Sequence, residues 1–182
     1  MILVVIAFGA GIYLYFSKNN PAPTSVNDTV TLTPENFTPF NTLEGLVRTS
    51  SIIVVGSAID NGVSRTEGTA VFTDYRVSVI DSKISTIVKK DDVIMLSMEG
   101  GVKDGKKYTL TNAPEITKDK KYILFAITNT EGLLRPLASG TAVAKDLGDG
   151  NYELPSSLGL PDSERIFTLA ELDQVTLRAQ KK

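Results

Sequence analysis

The feature that most restricts the fold of this chain is a succession of short apolar runs separated by turn signals. The runs alternate apolar and polar residues or are rich in Ile and Val, and turn signals recur about every 8–14 residues. They occupy residues 52–59, 69–80, 93–99, 108–111, 122–127, 137–144 and 152–154. Because helix patterns occur only at the two ends of this region, the sequence predicts a mainly β domain.

Two kinds of strand are expected within the domain. Runs 52–59 and 122–127 are apolar on both faces, which is typical of central strands. The run 69–80 alternates apolar and polar residues instead. Its apolar residues lie on one face of the strand: Val71, Tyr75, Val77 and Val79. One long strand followed by hairpins favours a small, partly open OB-like barrel, with a β-sandwich as the alternative.

Capping patterns predict short N-terminal and C-terminal helices. Asn41 and Glu44 have the spacing of a capping box, with Asn41 as the N-cap. Thr168 and Glu171 repeat that spacing before an apolar stripe, and they predict a helix over residues 169–178.

The N-terminus carries a long uncharged apolar segment. Residues 2–16 are apolar enough for a membrane helix, but they are shorter than the roughly 20 residues that a typical span needs. No A-x-A-like cleavage site follows, which favours an uncleaved anchor over a signal peptide. The sole flanking cation, Lys18, lies on the C-terminal side of the segment. The positive-inside rule would instead place the positive charge before the segment of an exported protein.

These features divide the chain into three parts. Residues 1–17 form a membrane anchor or signal segment, residues 18–39 a polar segment that we call the tether, and residues 40–182 the OB-like domain. The predicted location is the cell membrane, with one N-terminal anchor and the domain outside. Secretion after cleavage is the alternative.

Composition excludes several kinds of chemistry. The chain has no Cys and no His, so it has no disulfides, thiolate metal site, Cys nucleophile or imidazole base. Its net charge is −2, which argues against nucleic acid as a partner. We therefore predict a non-enzyme without a cofactor, with catalytic, cofactor and metal residues all assigned as none.

The remaining polar pairs have simple structural interpretations. Asp91 and Asp92 are adjacent, so on a strand their carboxylates point to opposite faces and do not form a dyad. Ser82 and Lys83 are also adjacent and lack the S-x-x-K spacing of a serine–lysine nucleophile.

Two binding hypotheses come from the residues alone. Asp149, Asn151 and Glu153 could share one strand face and meet Ca²⁺, although a plain hairpin turn explains the same pattern. OB-like barrels often bind oligomers through aromatic and cationic side chains, and core packing accounts for most of the aromatics here. The candidates for such a face are Phe72, Arg76, Tyr108 and Tyr122.

Four segments resemble a known group of proteins. Residues 46–56 (LVRTSSIIVVG) are similar to a helix-to-strand entry, 75–79 to a long second strand, 91–94 to a "G-D-x-I" opening and 120–125 to a "G-x-x-Y-x-L-F" strand. This pattern resembles exported OB-like β-barrel domains of Gram-positive bacteria, most of them uncharacterised. The resemblance implies a barrel outside the membrane and supplies no established activity.

We therefore expect a membrane-tethered extracytoplasmic domain for binding or envelope assembly, without catalytic activity. Its expected partners are the membrane, through residues 2–16, and a protein or glycan at the cell surface. The alternatives are a carboxylate-dependent cell-envelope hydrolase and a structural subunit of a surface assembly.

Overall fold

The computed structural model describes residues 28–33, 40–129 and 132–181. The predicted anchor, residues 1–17, and the hydrophobic helix expected there lie outside these residues. None of the helices in the described part of the chain is long and apolar enough to cross a membrane.

The strands, numbered along the chain, are β1 Asp28–Leu32, β2 Ile52–Ala58, β3 Val63–Glu67, β4 Ala70–Ile84, β5 Val93–Glu99, β6 Gly101–Lys103, β7 Lys106–Leu110, β8 Lys121–Thr128, β9 Leu134–Pro136, β10 Val143–Asp146, β11 Asn151–Glu153 and β12 Ile166–Thr168. The helices are α1 Leu43–Thr49, α2 Leu137–Gly140, α3 Asp162–Arg165 and α4 Leu169–Gln180, with a 3₁₀ turn at Ser156–Leu158. The protein is thus mainly β, as the sequence predicts.

Five strands close into a barrel in the order β2–β4–β5–β9–β8 and back to β2. All pairings in this ring are antiparallel except β5–β9, which is parallel and closes the barrel through the pair Leu96 and Leu134. This is the connectivity of an OB-like barrel, so the β-sandwich alternative is wrong. Strands β10, β11 and β12 extend the sheet outward from β8.

Apolar residues on both faces make β2 and β8 the centre of the molecule. Ile52 and Val54 of β2 point into the barrel, whereas Ile53 and Val55 pack beneath the helices on its outside. All four are nearly inaccessible to solvent. In β8, Phe125 packs edge-to-face against Phe167 of β12, with ring centroids 6.3 Å apart.

The ends of the domain differ from the sequence prediction in detail. The N-cap of α1 is Thr42 and not Asn41, because the Thr42 hydroxyl accepts a hydrogen bond from Gly45 N at 3.0 Å. At α4 the predicted capping box is confirmed, since Thr168 and Glu171 bond each other reciprocally. The helix continues to Gln180, two residues beyond the predicted end.

The predicted strand 137–144 is interrupted. β9 ends at Pro136, and the chain then turns through Ala138 and Ser139, which both have left-handed backbone angles. β10 begins only at Val143. Because proline has no N–H to continue the ladder, the chain leaves the sheet there before it returns.

A small three-stranded sheet lies beside the barrel in the order β1–β7–β6. β6 and β7 form a hairpin inserted between the third and fourth barrel strands, with the turn predicted at Asp104 and Gly105. β1 comes from the predicted tether and pairs in parallel with β7. We call β1, β6 and β7 the side sheet.

Candidate binding groove

A groove with a mixed polar and apolar lining opens where the side sheet meets the end of the barrel. It consists of two adjoining cavities of about 500 and 170 Å³, which share Thr73, Tyr75, Gly101, Lys107 and Glu115. The larger volume is within the usual range for small-ligand sites, roughly 300–1,000 Å³. We call this feature the mouth groove.

Tyr75 of β4 contributes to the lining of both cavities and is half-buried. Burial raises the pKa of its phenol to about 12, so the hydroxyl is a neutral donor and acceptor at physiological pH. Gly62 packs against its ring: a Cβ at that position would lie 2.7 Å from Tyr75 Cδ1 and Cε1. Gly62 also has φ +75°, so both sterics and backbone angle require glycine.

Two hydroxyls join the barrel to the side sheet at the base of the groove. Thr73 Oγ1 donates to Gly100 O at 2.9 Å, and Ser64 Oγ accepts from Val102 N at 2.8 Å. The two hydroxyl oxygens lie 3.4 Å apart. They therefore connect β3 and β4 to the start of the β6–β7 hairpin by hydrogen bonds.

An ion pair lies on the rim. Lys107 Nζ of β7 lies 3.0 Å from Glu115 Oε1, and their side chains are 40% and 77% exposed. Exposed pairs of this kind contribute little to stability, so either group can turn to a ligand at small cost. On the neighbouring wall, Asn61 Oδ1 accepts from Lys118 N at 3.3 Å.

The predicted oligomer-binding residues are placed separately. Tyr122 is buried and its hydroxyl holds the groove wall, because it accepts from Thr117 N and donates to Glu115 O. Tyr108 is half-buried and lines the smaller cavity. Arg76 forms an ion pair with Asp60 at 2.7 Å, outside the groove.

Phe72 lies on the outer face of the barrel between two cations. The guanidinium carbons of Arg65 and Arg135 are 5.0 and 4.6 Å from its ring centroid. Glu67 pairs with both arginines at 3.0 Å, and Arg65 also pairs with Asp74 at 2.7 Å. Arg65 first, and then Arg135, keeps the pKa of Glu67 below its usual value. These residues thus form an ion-pair network on the face that OB-like barrels use for oligomers, although Asp74 Oδ1 and Arg135 Nε have no hydrogen-bond partner among the described residues.

The two carboxylates of the Ca²⁺ hypothesis, Asp149 and Glu153, have other partners. Asp149 Oδ1 accepts from Asn151 N at 3.0 Å and closes the turn. Glu153 Oε1 lies 2.6 Å from Arg165 Nη1. In the described ranges no three His, Cys, Asp or Glu side chains are grouped to hold a metal ion.

The adjacent polar pairs from the sequence also have structural partners. Asp92 Oδ2 accepts from Lys89 N at 2.7 Å in the turn before β5. Ser82 Oγ donates to the carbonyl of Val88. Lys83 Nζ lies 2.7 Å from both Asp81 and Asp173, and so links β4 to α4.

A second cavity of about 500 Å³ lies between α1 and α4. Its charged groups hold the helices together: Arg48 pairs with Glu44 at 2.6 Å and donates to the carbonyls of Arg178 and Ala179. Glu164 accepts from Leu43 N at the start of α1. Thr42, Ser163 and Gln174 also line this cavity. We take the mouth groove as the candidate site because its lining comes from two parts of the fold, the barrel and the side sheet.

Sequence reasoning did not identify the mouth groove. It assigned Tyr75 to the apolar face of its strand and gave Ser64, Thr73 and Glu115 no role. The available signal was the glycine pair Gly100 and Gly101, directly after a strand. A Cβ at Gly101 would lie 2.6 Å from both hydroxyl oxygens at the groove base, so no other residue fits there.

Comparison with protein families, curated proteins and solved structures gives no match for the chain. The resemblance to exported OB-like domains of Gram-positive bacteria therefore stays a prediction. The geometry of the mouth groove is the basis of the function proposed below.

Proposed function

We propose that the protein is a non-catalytic binding domain, displayed outside the membrane, that holds an uncharged polar ligand in the mouth groove. The observation that carries this proposal is that hydroxyl, phenol and amide side chains line the groove beside the ion pair of Lys107 and Glu115. Specific binding sites typically combine a concave shape with a few polar groups of fixed position.

A glycan segment is the ligand class that this lining fits best. Sugars offer hydroxyl groups that both donate and accept, as do the side chains of Ser64, Tyr75 and Thr117 around the groove. A polyanion would meet Lys107 together with the carboxylate of Glu115. The chain as a whole is also slightly acidic, with a net charge of −2.

The proposed location follows from the sequence in front of the domain. Residues 2–16 anchor the chain in the membrane, and the barrel behind the tether faces the cell envelope. A groove for neutral glycans suits this location, because envelope polymers are within reach of a tethered domain.

A carboxylate-dependent hydrolase is the second candidate, and one observation favours it. Glu99 and Glu115 both line the smaller cavity. Glycoside hydrolysis normally uses two carboxylic acids that flank the scissile bond. Glu115, however, is mostly exposed and paired with Lys107, and the cavity volume of about 170 Å³ is small for a sugar chain.

The test uses the full chain in detergent micelles, titrated with soluble oligomers of N-acetylglucosamine and with peptidoglycan fragments. We expect saturable binding, weakened at least about tenfold by Asn61→Ala combined with Lys107→Gln, which removes about 1.4 kcal/mol or more of binding free energy. Lys90→Gln, an exposed lysine outside the groove, is the matched control and should bind like the wild type.

Two results would contradict the proposal. Absence of saturable binding, or binding that the groove variants leave unchanged, argues against the mouth groove as the site. Release of new reducing ends from the same fragments, lost in Glu99→Gln and Glu115→Gln, would favour the hydrolase instead.

A further inference from the structure

β1 links the part of the chain that precedes the domain to the wall of the mouth groove. It pairs in parallel with β7 from Asp28 opposite Lys106 to Leu32 opposite Leu110. Thr111, which follows β7, also bonds β1: its N–H and its hydroxyl donate to Leu32 O at 2.8 and 3.1 Å. A segment expected to act as a linker is therefore also part of a sheet.

The contact between β1 and the domain is shallow. Val30 and Leu32 are half-buried, and the remaining residues of β1 are exposed. β1 pairs with β7 along one edge and is the last strand of the side sheet. Segments with few buried apolar contacts open at low free-energy cost, so β1 can undock while the barrel stays folded.

β7 is the strand that builds the groove wall. Lys107, Tyr108, Thr109 and Leu110 all line the smaller cavity, and Lys107 extends to Glu115 across the rim. With β1 docked, β7 has a hydrogen-bonded neighbour on each edge, β6 and β1. Without β1, β7 becomes an edge strand held by the short hairpin partner alone.

We propose that β1 is a regulatory strand whose docking orders the wall of the mouth groove and whose withdrawal loosens it. The functional consequence rests on the proposed function: if the groove binds a ligand, ligand binding and β1 docking favour each other. Because the coupling is reciprocal, an event that draws the chain before Asp28 away from the domain lowers the affinity of the groove.

The hydrogen-bond pattern allows a matched pair of proline variants. Leu32 O faces β7, and backbone groups alternate in direction along a strand, so the N–H of Val30 also faces β7. The N–H of Thr31 faces the opposite side. Val30→Pro thus removes a ladder donor, whereas Thr31→Pro introduces the same residue at a position that tolerates it on an edge strand.

The first measurement needs no ligand. We expect Val30→Pro in the full chain to increase amide hydrogen exchange over residues 106–111 and 115–117, with exchange in β2 and β8 unchanged. Thr31→Pro should behave like the wild type. Unchanged exchange over residues 106–111 in Val30→Pro would overturn the proposal.

A reversible lock gives the opposite perturbation. The chain has no native cysteine, so Asp28→Cys with Lys106→Cys, an exposed register pair outside the groove lining, can form one defined disulfide. Oxidation should slow exchange in β7, and reduction should restore it. Oxidation without effect on β7 would contradict a role of β1 in ordering the wall.

The second measurement separates the two proposals. With N-acetylglucosamine oligomers as the probe, Val30→Pro should weaken binding at least about fivefold, and the oxidised lock should not. Wild-type binding that Val30→Pro leaves unchanged overturns the coupling. If the wild type binds no oligomer while exchange responds as expected, the glycan function fails and the ordering of the wall by β1 is supported.

Discussion

The barrel and the side sheet are both built from short strands, yet they are held together in different ways. In the barrel, β2 and β8 bury both faces, and Ile53, Leu124 and Phe125 are fully inaccessible. In the side sheet, Leu110 is the one buried residue of β6 and β7, and Val102 is 36% exposed. One region is a closed ring, and the other ends in an edge strand.

This difference indicates which wall of the mouth groove is rigid and which wall can shift. Tyr75 and Thr73 belong to the barrel side of the mouth groove, so their positions are fixed by the core. Lys107 belongs to the side-sheet wall, where few buried contacts oppose a shift. A groove with one fixed and one adjustable wall can close on a ligand without a change in the barrel.

The strongest test of the comparison removes a large side chain from the barrel. Phe125→Ala should lower the free energy of unfolding by about 3–5 kcal/mol, because it leaves a cavity in the cluster of buried side chains beneath the helices. Val102→Ala in the side sheet should change it by no more than about 0.5 kcal/mol. Chemical denaturation of both variants measures the contrast, and similar losses would show that the two regions form one cooperative core.

The second test uses alkaline pH. Because burial raises the pKa of Tyr75 to about 12, from 10.0, the folded state keeps a proton that the unfolded chain releases. Stability is therefore complete below about pH 10 and falls as the pH rises toward 12, by at most about 3 kcal/mol. Denaturation of the wild type and Tyr75→Phe at increasing pH should show a smaller alkaline loss in the variant. Parallel curves would mean that Tyr75 is hydrated.

The third test cuts a connection between the regions. Thr73→Val replaces the hydroxyl that donates to Gly100 O, and it should cost about 1–2 kcal/mol because a buried carbonyl loses its donor. Thr66→Val, exposed on β3, is the control and should be nearly neutral. Equal stability of the two variants would show that water replaces the hydroxyl at the groove base.

The smallest change in stability is expected from alanine substitutions in two turns of similar backbone strain. Gly68 and Gly105 have φ +60° and +74°, so alanine at either position costs about 1 kcal/mol. Gly68→Ala lies in the hairpin that joins β3 to the barrel strand β4, and it should lower the global free energy of unfolding. Gly105→Ala should instead appear as faster hydrogen exchange limited to β6 and β7. A global loss in Gly105→Ala would contradict the independence of the side sheet.

Much of the barrel could be predicted from local patterns. Alternation along β4 and the two-faced apolar character of β2 and β8 are direct consequences of their positions in the core. The Asp60–Gly62 and Asp104–Gly105 turns have side chains that signal their geometry. The break after Pro136 was missed because residues 137–144 form a continuous apolar run. The change of backbone direction there depends on packing against the barrel, which the run does not indicate.

The mouth groove could not be predicted in the same way. It exists because the β6–β7 hairpin folds back over the barrel end, which is a contact between segments distant in sequence. Tyr75 was assigned to the correct strand face, but no local pattern distinguishes a phenol in a core from one in a groove. The strand β1 was missed because it has only five residues within a polar segment. Their alternation of polar and apolar side chains is too short to indicate a strand.

The parallel pairing of β1 with β7 also has a consequence for the order of folding during synthesis. β1 leaves the ribosome before every barrel strand, yet β7 follows the first three of them. During vectorial synthesis β1 must therefore wait until β2, β4 and β5 have emerged. Docking of β1 therefore requires β2, β4 and β5 to have been synthesised, but it does not require β8 and β9, which close the barrel later.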